Sequence, residues 1–199
     1  MNAAERHLVV FARRPQLKRG KRRLAREIGD LEAWRFQRWA LARLARTLSK
    51  DPRWRFWQAL TPDIPAVRRP LGELPQGEGD LGRRLATAIA QAPAGDIVII
   101  GSDTPQISAR DIARAFKRLG NVDVVLGPAR DGGFWLIGFT RRARGTLPFD
   151  NVRWSSAQTL ADVLHNLSGV RVAMLDVRED VDDAASLKRV RALMRRAAT

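Results

Sequence analysis

Ile97-Val98-Ile99-Ile100-Gly101-Ser102-Asp103-Thr104-Pro105 opens with four β-branched residues and closes with a glycine, a carboxylate and a proline. A continuous apolar run bounded by turn residues predicts a strand buried on both faces, as in a parallel α/β sheet. The proline bars the strand from continuing. Burying an ionised carboxylate without partners costs several kcal/mol, so Asp103 is expected just beyond the strand's carboxyl end. Open α/β sheets bind their ligands there. A carboxylate at that place faces a metal ion, a ribose hydroxyl or a basic group.

Outward from this strand the chain alternates between strand and helix signals. Leu8-Val9-Val10-Phe11 predicts a buried strand within His7 to Ala12, and Arg13 to Gly29 a basic loop running into a short helical turn. Leu31 to Leu48 is helical by spacing, with Leu31, Trp34, Leu41, Leu44 and Leu48 expected on the core face and Asp30 at the N-cap. Trp54 to Leu60 reads as a strand. Residues 61–79, rich in proline and glycine, read as an extended loop long enough to carry function. A helix is expected over Asp80 to Gln91, and another from Ser108 to about Leu119. Strands are expected at 122–126, 134–139 and 170–175. Ser155 or Ser156 is expected to cap a helix reaching Leu167. A last helix, Ala184 to Arg196, should turn Leu187, Val190 and Met194 inward. Alternation of this kind predicts a three-layer α/β/α fold with a mainly parallel mixed sheet.

Composition narrows the function. At 199 residues, 45% hydrophobic, the chain has enough apolar content for an ordinary core and is most simply one domain over 1–199. With no cysteine, disulfides, thiolate metal sites and cysteine nucleophiles are excluded. No apolar run approaches the roughly 18 residues that span a bilayer. Met1 to His7 lacks an apolar signal segment, and a cytoplasmic location is the default expectation. The formal net charge of +15 favours anionic partners: nucleotides, phosphorylated metabolites, nucleic acid or a membrane surface. The densest basic run is Arg13, Arg14, Lys18, Arg19, Lys21, Arg22 and Arg23. His7 and His165 are isolated and make no metal-ligand spacing. Ser155 and Ser156 lack a nucleophile-elbow context and a histidine partner.

Four segments lie where a strand gives way to a loop: 13–23, 101–105, 127–133 and 179–183. In a doubly wound sheet they converge on one edge. The first is basic; the others bring Asp103, Asp131, Asp180, Asp182 and Asp183. Cations beside carboxylates suit a nucleoside triphosphate with Mg2+, because Arg and Lys neutralise phosphate oxygens and Mg2+ takes one or two protein carboxylates. Lys21 and Arg23 are the expected phosphate clamps, unless the loop is simply solvated. Gly79, Asp80 and Leu81 end the long loop at a helix start. This suits close backbone approach to a base, ribose or phosphate, or a plain capped helix. Asp131 with Gly132 and Gly133 reads either as an acceptor-side element or as a hairpin turn. Asp103 has a plainer reading too, capping its own turn. Asp182 or Asp183 is a candidate N-cap.

The motifs Phe11-Ala12-Arg13-Arg14-Pro15 with Lys21-Arg22-Arg23-Leu24, Gly79-Asp80-Leu81-Gly82, Gly101-Ser102-Asp103-Thr104-Pro105, Gly127 to Gly138 and Arg153-Trp154-Ser155 resemble a bacterial family, the radical-SAM/selenodomain-associated transferases. These are related to GT-A-type nucleotidyltransferases, among them the molybdenum cofactor and phospholactate guanylyltransferases. The resemblance implies a nucleotide-diphospho-sugar transferase fold with nucleotide across the first loop. Ala12, Arg13, Lys21, Arg23, Gly79, Asp80, Leu81 and Ser102 would bind it. It implies Mg2+ or Mn2+ at Asp103, with Asp180 as second ligand. Asp103, Asp131 and Lys21 are then the catalytic candidates, and Gly132, Gly133 and Trp154 the acceptor side. Lys18 stands where relatives carry a glycine, and Arg22 where they carry a threonine. Gly20 is expected to supply the missing backbone freedom.

The leading expectation is Mg-dependent nucleotidyl or glycosyl transfer from a nucleoside triphosphate or nucleotide-sugar to a small acceptor. Two alternatives remain open. One is a nucleic-acid-binding protein, supported by charge alone. The other is a catalytically degenerate scaffold of the same fold. Sequence leaves the base, sugar, acceptor and oligomeric state open.

Overall fold

The computed structural model describes residues 5–196; the Met1–Ala4 part of the N-terminal reading lies outside them. In chain order the elements are β1 (Arg6–Arg13), α1 (Arg22–Ile28), α2 (Asp30–Leu48), β2 (Arg55–Thr61), β3 (Glu73–Leu74), α3 (Leu81–Gln91), β4 (Asp96–Gly101), α4 (Ala109–Leu119), β5 (Val124–Pro128), β6 (Phe134–Phe139), α5 (Thr159–Asn166), β7 (Val172–Met174) and α6 (Ala184–Arg196). The seven strands make one sheet in the order β3-β2-β1-β4-β6-β5-β7. Pairing is parallel throughout except at β6, which runs against both β4 and β5. The fold is therefore α/β with a mainly parallel mixed sheet, as the sequence predicts.

The β-branched run lies in β4 between β1 and β6, and Ile97, Val98, Ile99 and Ile100 are all buried. Alternation along the strands splits the core into two layers. Leu8, Val10, Val98, Ile100 and Val125 meet α2 and α4 through Leu44, Leu48, Ile112 and Phe116. Val9, Ile97, Ile99, Val124 and Leu126 meet α3 and α5 through Leu85, Ile89 and Val163. Each fully buried side chain of this size contributes roughly 1.5–3 kcal/mol. A third, smaller cluster joins α1, α2 and α6 through Leu24, Phe36, Val181, Leu187 and Val190. It packs the basic segment after β1 against the chain's last helix.

Several local expectations are corrected. The buried face of α2 is Ala33, Phe36, Ala40, Leu44 and Leu48. Leu31 is exposed, and Trp34 and Leu41 are only half-buried. Trp34 instead carries the Arg38 guanidinium over its ring. The small residues Ala33 and Ala40 let the helix approach α1 and α6, a signal that large-residue spacing misses. Gly29, not Asp30, is the N-cap. Helix α5 starts at Thr159, with Gln158 at the cap. The Ser156 and Thr159 hydroxyls instead donate to the Arg153 carbonyl, tightening a turn. Within 61–79, Glu73–Leu74 pairs with Gln58 and Ala59, so the segment is not structureless. Trp54 precedes β2 and plugs the end of α2, its Nε1 donating to the Leu48 carbonyl at 2.9 Å.

His7 is fully buried in β1. Its Nδ1 accepts from Trp57 Nε1 at 3.2 Å, so the ring proton sits on Nε2, which faces the Ala94 carbonyl at 3.2 Å. Burial pushes its pKa below the ordinary 6.5, although the Ala94 bond and Glu5 oppose the shift. A depressed folded-state pKa means that the unfolded chain binds the proton first. The stability this neutral ring contributes is whole above pH 6.5 and is lost as pH falls through the folded value. Denaturant titrations of wild type and His7→Gln between pH 5 and 7 check this. The wild type should lose stability on acidification more steeply than the variant, and parallel curves would refute it.

Candidate active site

The sheet order reverses at β1, which pairs β2 on one side and β4 on the other. Helices leave to opposite faces at such a point, and a crevice opens outside the strand ends. Here it is a cavity of about 630 Å³. The ends of β1 and β4 form its floor through Phe11, Ala12, Arg13, Gly101, Ser102, Asp103 and Thr104. Gly79, Asp80, Leu81 and Arg84 line one wall, Gly20, Lys21 and Gln37 another, with Trp154, Ser155 and Asp180 completing it.

Lys21 ties this arrangement together. Its Nζ lies 2.9 Å from Asp103 Oδ2 and 2.7 Å from Asp182 Oδ1. The lysine side chain is 8% exposed and that of Asp103 47%. Burial alone would lower the ammonium's pKa, but the Asp103 and Asp182 charges outweigh it and hold it above its ordinary value. The backbone repeats the connection: Val181 N–H donates to the Asp103 carbonyl at 2.9 Å. Beside them, the Thr104 hydroxyl donates to Asp180. Burial pushes Asp180 up to about 6. The Thr104 bond works against that shift, while the charges of Asp103 and Asp131 add to it. Ionised Asp180 is therefore short of positive charge, despite Lys21 nearby.

The carboxylates of Asp103 and Asp180 have the chemistry to hold a divalent cation. Among the described residues no group of three or more His, Cys, Asp or Glu side chains forms a cage. Mg2+ needs only one or two carboxylates and fills its other positions with water and phosphate oxygens. Asp103 and Asp180, adjacent on the wall of a polar cavity, fit that demand.

The other expected residues divide. Ala12, Arg13, Lys21, Gly79, Asp80, Leu81, Ser102 and Trp154 all line the cavity. Asp80 is also the N-cap of α3, accepting from Arg83 N–H at 2.8 Å. Arg23 does not line it; exposed on α1, it acts on Asp183 instead. Asp131, Gly132 and Gly133 do not line it either. Asp131 Oδ1 accepts from Gly133 N–H at 2.9 Å, closing the β5–β6 turn. Gly132 has φ +88°, and a Cβ there would lie 2.2 Å from the Ala157 carbonyl oxygen. Its own carbonyl accepts from Leu160 N–H, so this turn anchors the start of α5. Asp131 still reaches the site through its charge on Asp180. Asp183 accepts from Ser186 N–H at 2.7 Å and caps α6.

Trp154 stands against Phe134 and Phe149. A Cβ at position 82 would come within 2.9 Å of both its ring and Phe149, so Gly82 lets the ring approach α3 closely. Sequence reasoning missed Arg84. The signal was its position three residues after Leu81, one turn along the same face of α3.

Over nearly its whole length the chain has the nucleotide-diphospho-sugar transferase fold. A Desulfovibrio desulfuricans G20 protein, with the proposed assignment of nucleotide-diphospho-sugar transferase, superposes with a TM-score of 0.82 at 23% identity, over 97% of this chain and 98% of that one. CMP:2-keto-3-deoxy-manno-octonic acid synthetase complexed with CTP has a TM-score of 0.59 at 15% identity, over 98% and 100%. Rv0371c of Mycobacterium tuberculosis H37Rv in complex with manganese has 0.54 at 20%, over 94% and 97%. Residues 35–156 match the family described as "Uncharacterized protein conserved in bacteria (DUF2064)", and the chain belongs to that family. No curated protein matches it in sequence. The radical-SAM/selenodomain association is part of none of these likenesses. No helix among the described residues is long and apolar enough to cross a membrane.

The first loop answers the question of the missing glycine. Lys18 itself takes the left-handed conformation, at φ +63°, and Gly20 does so at +76°. A residue with a Cβ is strained there by about 1–2 kcal/mol, part of which is returned by the greater unfolded-state entropy of glycine. Lys18→Gly should therefore stabilise the fold by about 0.5–1 kcal/mol, read as a higher urea midpoint. A lower midpoint would mean that the Lys18 side chain makes a contact worth more than the strain.

Proposed function

We propose that this protein is a divalent-metal-dependent transferase, working as one unit over 1–199. It moves a nucleotidyl or glycosyl group from a nucleoside triphosphate or nucleotide-sugar to a small acceptor. The reading is carried by one observation: Asp103, paired with Lys21, and the half-buried Asp180 line one polar cavity at the sheet's switch point.

In this reading Asp103 and Asp180 hold Mg2+ or Mn2+. The bound metal would neutralise donor phosphate oxygens as charge develops on the leaving group. Lys21 keeps Asp103 and Asp182 together and so fixes the carboxylate's direction. Ala12, Ser102 and the 79–81 segment give the base and ribose a close backbone approach. Arg13 meets phosphate. Trp154 walls the acceptor side. Asp131 acts through its charge from outside the cavity, and Gly132 and Gly133 place it there. In nucleotidyl transfer an acceptor oxygen forms a bond to the α-phosphorus, the bond to the β-phosphate breaks, and pyrophosphate leaves with its electron pair. A phosphate acceptor is already a nucleophile at neutral pH and needs no general base. In glycosyl transfer the nucleoside diphosphate is the leaving group.

Isothermal titration with CTP, GTP and UDP-sugars, with and without Mn2+, tests the reading. At least one donor should bind the wild type in a metal-dependent way. Asp103→Asn and Asp180→Asn should each weaken that binding by about tenfold or more, with thermal midpoints showing an intact fold. Affinity unchanged in both variants would rule out the two carboxylates as the metal site.

A further inference from the structure

The cavity's cations are not equivalent. Lys21 faces two carboxylates at hydrogen-bond distance, and its charge is spent on them. Arg84 is different. It is half-buried on the first turn of α3 and lines the same cavity. Among the described residues neither Arg84 nor Arg13 makes a salt bridge. Asp63 is the acidic side chain felt at Arg84, and its carboxylate is occupied by the backbone N–H groups of Gln76 and Gly77 at 3.0 and 2.9 Å.

Arg84 is nevertheless held firmly. Gln76 is fully buried, and its Nε2 donates to the carbonyls of Ala12 at 2.9 Å and Ala59 at 2.5 Å. That fixes its Oε1 toward Arg84, whose Nη2 donates to it. The guanidinium lies over the Phe11 ring, 5.6 Å from its centroid. Its Nε is buried with no partner. A guanidinium has five donors, and the protein engages one. Burial lowers its pKa, and repulsion from Arg13 lowers it further. A held, partly desolvated cation beside a second unpaired cation costs free energy that an anion returns.

We infer that Arg84, oriented by Gln76 and Phe11 and faced by Arg13, anchors a phosphate group of the bound ligand. The inference rests on the cavity being the substrate site, and it assigns phosphate recognition to α3 while Lys21 serves the carboxylates. Two guanidiniums suit a doubly charged, multidentate oxyanion better than a single carboxylate. The donor's phosphate chain and a phosphorylated acceptor share that chemistry.

Titrations with inorganic pyrophosphate and with glycerol 3-phosphate, without metal, separate these sources. The wild type should bind at least one. Arg84→Gln should weaken that binding by about tenfold or more, and Arg84→Lys should recover part of it. Arg83→Gln, the same charge loss on the exposed face of α3, should leave it unchanged. Thermal midpoints report folding of each variant. Loss confined to pyrophosphate assigns Arg84 to the donor, and loss confined to the monoester assigns it to the acceptor. Equal affinities in wild type and Arg84→Gln, equal losses in Arg84→Gln and Arg83→Gln, or no binding to the wild type, overturn the inference. Binding of pyrophosphate with no binding of any nucleotide would instead sink the donor assignment while leaving the anion site standing.

Discussion

The Lys21 ammonium between Asp103 and Asp182 joins three parts of the chain far apart in sequence: the loop after β1, the end of β4 and the segment before α6. Without it, two carboxylates would crowd one rim with little to offset their repulsion. The small core beneath α1, α2 and α6 keeps the lysine near them, because Leu24 packs there three residues on. The Val181–Asp103 backbone bond and the Thr104–Asp180 bond reinforce the same junction. Site geometry is thus a product of tertiary packing at both ends of the chain, and no local motif specifies it.

This explains what could be read in advance. Strands β1, β4, β5 and β6 were legible as β-branched or apolar runs, with β4 and β5 closed by glycine and then a carboxylate or proline, and β6 opened by Asp131-Gly132-Gly133. The crevice beside Asp103 followed from topology once that residue was placed past β4. The rim partners of Asp103 were legible as a group of loop ends, and Lys21 does meet Asp103 and Asp182 there. Partner choice was not legible. Arg23 looked equal to Lys21 on charge, yet Lys21 precedes α1 in a left-handed conformation with its ammonium buried, while Arg23 lies exposed in the first turn of the helix. Asp131 and the two glycines after it looked like a site element, but the β5–β6 turn uses them to hold α5. For Arg84 the sequence signal is only its spacing from Leu81, and what sets it apart, the Gln76 side chain that holds it, comes from a loop eight residues earlier. The α2 face was misjudged because alanines, rather than the larger residues, mark its closest contacts.

Net charge is distributed in a way that separates its roles. Many exposed arginines pair with single carboxylates, as Arg153 does with Asp162 and Arg171 with Asp123. Such surface pairs add little to stability. Arg144 is spent internally, its guanidinium meeting the carbonyls of Ile89 in the last turn of α3 and of Ala92, Pro93 and Gly95 beyond it. The basic composition therefore does not by itself mark a polyanion surface. Only a few cations, Arg13, Lys21 and Arg84, line the crevice at the switch point.

Both borders of the sheet are very short. β3 contributes two residues and β7 three. A border this brief exposes too few free amide and carbonyl groups to template an incoming strand, so the sheet is protected against growth by strand addition. Any larger assembly built from this chain must be welded through its helices and loops, leaving the hydrogen-bond ladder of the core untouched.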